Sequence, residues 1–280
     1  MIINHVNEGM EDYDGVDKFV KQRIITAIIG IIIVAPIIIY GNWPFIVLAY
    51  LLATIALFEM FRMYHLKLSF FYFFIATIAL WSILLPLGEL TFMSIAFSKL
   101  DLLIILTIVL LVATVVTKNK FTINETSFIL FATLYVGFSF YLVIDVRTLG
   151  LNHFLFILFT IWSTDTGAYF IGKFFGKRKL WPAISPNKTI AGAFGGIVFA
   201  LVLASIFQFI YPFERPFLSI LLIATFISMI GQIGDLVASA MKRQYEIKDF
   251  GNIFPGHGGV LDRLDSFLFV LLVLYVFQII

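Results

Sequence analysis

The chain has 280 residues, 61% of them hydrophobic and only 13% Asp, Glu, Lys or Arg, with a formal net charge of +2. A soluble domain is roughly 45–50% apolar and about 25% charged. With a mean hydropathy of +1.03 there is too little polar surface here to cover a globule, and a soluble enzyme is excluded. Cysteine is absent and the four histidines, His5, His65, His153 and His257, are scattered, which removes disulfides, thiolate chemistry and paired-histidine metal sites. Any metal must rest mainly on carboxylates, which favours a hard cation such as Mg²⁺. No nucleic-acid partner is expected.

In chain order, Glu8, Glu11, Asp12, Asp14 and Asp17 stand in an opening stretch without Lys or Arg, the reverse of a signal peptide's basic start. Residues 1–23 are expected to form an acidic, disordered cytoplasmic tail. Crossing a bilayer takes about 20 mostly apolar residues per helix. Nine such runs follow, near 24–40, 43–58, 68–87, 101–117, 127–144, 154–172, 192–211, 217–241 and 266–280. The predicted fold is an all-α, polytopic integral membrane protein with about nine transmembrane helices. Of the 19 Lys and Arg, all but Lys99, Arg147 and Arg215 fall on alternate loops. Because basic residues are retained on the cytoplasmic side, the N-terminus is placed in the cytoplasm. Loops up to about residue 153 are short and plain, so 24–153 reads as scaffold and 154–280 as the catalytic region with its cytoplasmic loops.

Three constellations carry the chemistry. The first is Asp165, inside the polar patch Trp162 to Tyr169 of an otherwise apolar span. A charge there costs roughly 2.5–3.5 kcal/mol on insertion scales, so it should face a metal, water or a partner. Asp165, Tyr169, Gly172 and Lys173 share a helical face; the alternative is an ion pair that only ties the bundle together. The second is the loop from Lys173 to Thr189. Its Lys177-Arg178-Lys179 run reads as a topology or lipid-headgroup signal. Ser185, Lys188 and Thr189 differ, standing just before a helix N-terminus whose free amides and dipole attract phosphate. Gly192 and Gly196 behind them suit close helix packing.

The third runs from Gly234 to Ser266. Asp235, Ser239 and Lys242 recur at one helical face. Arg243, Lys248 and Asp249 follow, then a glycine-rich loop with His257, Gly258 and Gly259 whose backbone suits close approach to a ligand. Asp262, Arg263, Asp265 and Ser266 open the next helix. Asp235 and Asp262 could converge on Mg²⁺ while Lys188, Lys242, Arg243, Lys248 and Arg263 neutralise a polyphosphate. The alternative is ordinary cytoplasmic charge, carboxylates on a helix dipole and an Asp–Arg ion pair.

The stretch from Ser239 through Lys242-Arg243, Lys248-Asp249-Phe250-Gly251 and Pro255-Gly256-His257-Gly258-Gly259 to Leu261-Asp262-Arg263-Leu264-Asp265 closely resembles the signature of phosphatidate cytidylyltransferases, or CDP-diacylglycerol synthases. Asp165-Thr-Gly-Ala-Tyr169 and Ser185-Pro-Asn-Lys-Thr189 are similar to that family as well. Ala191 departs from it, since Glu or Gln is usual there. The resemblance implies that CTP and phosphatidate give CDP-diacylglycerol and pyrophosphate, with Asp235 and Asp262 as metal ligands and Asp265 and Asp249 as supporting carboxylates. It also implies a homodimer in the plasma membrane with its site on the cytoplasmic side. A monovalent cation beside Mg²⁺ stays an open alternative. The rival readings are a CTP-dependent lipid kinase and a transporter of a phosphorylated lipid or anion.

Overall fold

The computed structural model of the chain describes residues 22, 25–64, 70–85, 90–92 and 95–280. The expected acidic tail falls almost wholly outside them. Among the described residues the helices are α1 (Ile25–Tyr40), α2 (Asn42–Met63), α3 (Phe70–Leu84), α4 (Lys99–Val116), α5 (Ile123–Leu149), α6 (Leu151–Phe175), α7 (Ile190–Ile210), α8 (Phe217–Gln244) and α9 (Leu261–Val276). Six of them, α2 and α4 to α8, are long and apolar enough to cross a membrane, while α1 and α3 are shorter apolar helices. The fold is therefore that of a helical membrane protein, but it is not purely helical. Strands β1 (Leu90–Phe92) and β2 (Ile95–Phe97) form one antiparallel pair, and β3 (Lys179–Trp181) and β4 (Ser185–Thr189) another.

Helix ends depart from the hydropathy reading where polar residues are used as caps. Thr122 accepts from the Glu125 amide and Glu125 reaches back to the Thr122 amide, so α5 starts four residues before the apolar run. Ser98 and Asp101 do the same for α4. α1 and α2 are separate helices because the chain turns at Gly41, whose φ of +69° suits glycine. Arg147 of α5 fills the space a Cβ would occupy there and donates to the Ile38 and Ile39 carbonyls at 2.7 and 2.9 Å, satisfying the end of α1.

α5 is the most buried of the membrane-length helices and α4 the least. Around α5 pack α2, α3, α4, α6 and α9. The outward faces keep many large apolar side chains exposed, among them Phe58, Val115, Phe194, Phe209 and Leu218. A solvated surface would not carry this, and a lipid-facing one does. The tightest seam joins α6 and α7. A Cβ at Gly192 would meet the Ala168 carbonyl, one at Gly195 the Ile171 side chain, and one at Gly196 the Thr164 carbonyl. Gly192 and Gly196 thus serve backbone approach between helices.

The C-terminal ends of α2, α6 and α8 and the N-terminal ends of α5, α7 and α9 lie together. Tyr64 after α2 stacks on Phe128 of α5, ring centroids 4.2 Å apart, and both contact Tyr245 after α8. This is the end of the bundle that gathers the polar residues.

Candidate active site

β4 leads directly into α7, and Thr189 is the hinge between them: its hydroxyl accepts the Gly192 amide at 3.1 Å and caps the helix. The Ser-Pro-Asn-Lys-Thr segment is therefore a strand held against β3, not an open loop. Lys188 projects from it, pairs with Asp235 of α8 and reaches the Gln232 carbonyl at 3.5 Å. Gln232 in turn donates to the Ala193 carbonyl at 3.2 Å, fixing α8 against α7. Ser239, one turn beyond Asp235, donates to its carboxylate at 3.5 Å. Arg243 reaches the Ile184 carbonyl at the turn between β3 and β4, also at 3.5 Å.

The second half of the site hangs on Asp262. One carboxylate oxygen takes the Lys242 ammonium at 2.8 Å, and the other accepts the Phe250 and Gly259 amides at 2.8 and 2.9 Å. Its side chain is only 4% exposed, so the charge is held by partners rather than by water. Sequence reasoning kept an Asp–Arg pair open; instead Arg263 donates to the His257 carbonyl at 2.7 Å, and Lys242 takes Asp262. Gly258, at φ +83°, must be glycine twice over, because a Cβ would also press on Asp262. Among the described residues the buried ring nitrogen Nδ1 of His257 has no hydrogen-bond partner. Lys248 and Asp249 are exposed where the loop begins.

Asp165, Asp235 and Asp265 lie close enough to repel one another. A cavity of about 410 Å³ between α6 and α9 is lined by Asp165, Asp262 and Asp265 together with Trp162, Ile161 and Phe267. With Arg263, Ser266, Leu158 and Leu264 also in its lining, the cavity combines charged and apolar side chains, which suits a ligand with a polar head and a hydrocarbon body. A larger cavity, about 620 Å³, lies at the opposite end around Gly150, His153 and Arg215 and holds none of the predicted site residues. Ala191, half-buried in the first turn of α7, leaves that turn without an acidic residue. Outside the spans, burial and then Tyr64 push the Tyr245 hydroxyl to a higher pKa, so it stays a neutral phenol.

Sequence reasoning missed Glu59. It is 1% exposed, in the last turns of α2, and accepts the Val260 and Leu261 amides at 2.9 Å each. The signal was available: Glu59 interrupts an apolar run just past the predicted span 43–58, and an ionisable residue at such a place invites the question asked of Asp165.

Among the described residues no three His, Asp or Glu side chains form a ready-made metal cage. Asp235 and Asp262, each paired with a lysine, are the carboxylates that an ion such as Mg²⁺ would use, since it takes one or two carboxylates and fills its shell with waters and substrate phosphates. Fold and site together describe a helical membrane protein that gathers paired lysines and carboxylates at one end of its bundle. The chain belongs to the cytidylyltransferase family, which it matches over residues 21–280. It is 48% identical over 258 residues to a phosphatidate cytidylyltransferase of Bacillus subtilis, covering 91% of this chain and 96% of that protein. Phosphatidate cytidylyltransferases of Staphylococcus haemolyticus and Staphylococcus epidermidis are 42% and 41% identical, each over 90% of this chain and 96% of the relative.

Proposed function

We propose that the protein is a phosphatidate cytidylyltransferase: it joins phosphatidate to the cytidylyl group of CTP, giving CDP-diacylglycerol and pyrophosphate. The observation that carries this is the pair of lysine–carboxylate contacts, Lys188 with Asp235 and Lys242 with Asp262, at one end of a membrane bundle beside a cavity lined by both carboxylates and apolar side chains.

Two helix N-termini face the site, and both have amides already taken by the protein. The first amides of α9 and the glycine before them are taken by Glu59 and Asp262. At α7 the Ile190 amide goes to the Arg178 carbonyl and the Gly192 amide to the Thr189 hydroxyl, so the phosphates fall to the side chains beside that terminus, Lys188 and, through the β3–β4 turn, Arg243. Lys188, Lys242 and Arg243 then bind the triphosphate, with Ser185, Ser239 and the backbone around His257, Gly258 and Gly259 as further contacts. The acyl chains of phosphatidate stay among the cavity's apolar side chains. A lipid phosphate oxygen attacks the α-phosphorus of CTP; that P–O bond forms as the bond to the bridging oxygen of the β-phosphate breaks, and pyrophosphate leaves. Phosphatidate is already anionic, so no strong general base is required, and catalysis is positioning plus charge neutralisation. Mg²⁺, held by Asp235 and Asp262, would supply charge neutralisation of the phosphates.

The reading includes nine membrane crossings with the N-terminus in the cytoplasm, supported by the distribution of basic residues. It also includes a site on the cytoplasmic side of the plasma membrane, where CTP is found, and a homodimer carried over from the resemblance. The test is detergent-micelle turnover of phosphatidate and α-labelled CTP with Mg²⁺, comparing wild type with Asp235→Asn and Asp262→Asn. Label entering lipid in wild type alone supports the reading. γ-Phosphoryl transfer with release of CDP would support a lipid kinase, and no lipid product at all from folded protein would return weight to a transporter.

A further inference from the structure

Glu59 belongs to the half of the chain that sequence reasoning leaves as scaffold, yet its carboxylate sits under the candidate site. Three successive amides are divided between two carboxylates: Gly259 donates to Asp262, while Val260 and Leu261 donate to Glu59. A Cβ at Gly251 or at Gly259 would run into the Glu59 carboxylate, so both edges of the loop close on it at glycines. A carboxyl group at 1% exposure needs strong partners, and two backbone amides at the positive end of α9 supply them. The result is a loop folded between a fixed carboxylate below and the Asp262 carboxylate at its rim.

We infer that Glu59 is a positioning residue for cytidylyl transfer: it holds residues 250–261 so that Asp262, and the lysine paired with it, stand where the triphosphate arrives. This rests on the transferase reading above. Glu59 touches no substrate in this account. It acts on the loop's backbone, and through the loop on Asp262.

The test compares full-length wild type with Glu59→Gln, which keeps the size and replaces one acceptor oxygen by a donor, and with Gly251→Ala, which displaces the carboxylate without altering it. Amide hydrogen exchange is measured in micelles without substrate, and turnover with phosphatidate and CTP. Both variants are expected to lose protection across 250–262 while the α6–α7 seam stays protected. Their kcat should fall about 100-fold and KM for CTP should rise, since the loop carries triphosphate contacts, while KM for phosphatidate stays within about threefold of wild type. Unchanged protection of 250–262 overturns the inference, and so does lost protection with kcat near wild type. A Glu59→Gln protein that fails to fold leaves Gly251→Ala to decide it by the same two readings. The exchange measurement needs no turnover, so failure of the transferase reading would be seen separately, as absence of labelled lipid from wild type.

Discussion

Lys242 and Asp262 are one of the site's two lysine–carboxylate pairs, and their burial makes the consequences of removing each one separable. Asp262→Asn leaves the Lys242 ammonium, 16% exposed, without its counter-ion, and breaking such a pair from one side costs about 3 kcal/mol. The variant is expected to melt earlier in detergent and to lose transfer. Adding Lys242→Met removes the stranded charge, so the double variant should recover most of the thermal stability and none of the activity. A differential scanning measurement on the two proteins checks this, and equal melting of single and double variants would contradict it. Gly258→Ala tests the loop at the same scale. Its φ of +83° alone costs about 1–2 kcal/mol for a residue with a Cβ, and pressure on Asp262 adds to it. The expected result is a loss of transfer larger than the loss of stability.

Between helices, the α6–α7 seam is where substitution should act on the element rather than on one contact. Gly195→Val places branched carbon against Ile171 and forces the two helices apart, at a cost of about 1–3 kcal/mol. Because α6 carries Asp165 and α7 begins beside Lys188, lowered melting should come with lowered turnover, whereas Phe194→Val, on the exposed face of α7, should change neither. Helices were legible in the sequence because a bilayer demands long apolar runs, and every predicted run overlaps a helix among the described residues. Their ends were less so: Thr122 with Glu125, and Ser98 with Asp101, are polar residues that hydropathy assigns to loops and capping assigns to helices. The β3–β4 pair was hidden because its strands are too short for an alternating pattern. In the site, Asp235, Ser239 and Lys242 could be aligned by spacing along one helix. The pairings of Lys188 with Asp235, Lys242 with Asp262 and Glu59 with the α9 amides join residues 20 or more apart, and no local period encodes them.

At the scale of the molecule, the chain's lack of cysteine gives a direct test of orientation. Single substitutions Lys248→Cys, beside the site, and Arg215→Cys, at the opposite end of α8, leave one reactive thiol each. In intact cells an impermeant maleimide should label Arg215→Cys and spare Lys248→Cys, and opening the membrane should expose both. Labelling of Lys248→Cys in sealed cells would invert the proposed orientation.

The contact between Glu59 and the amides of Val260 and Leu261 spans 201 and 202 positions of the chain, and this sets an order of events during synthesis. At about 5–20 residues per second, α2 emerges roughly ten to forty seconds before the backbone that will occupy its carboxylate. Throughout that interval Glu59 is an acid without its partners at the edge of a half-built bundle, and the glycine loop has nothing to close upon. A nascent chain therefore passes most of its membrane insertion unable to assemble the site, and competence arrives in one step, when residues 259–262 fold down onto a helix made long before them.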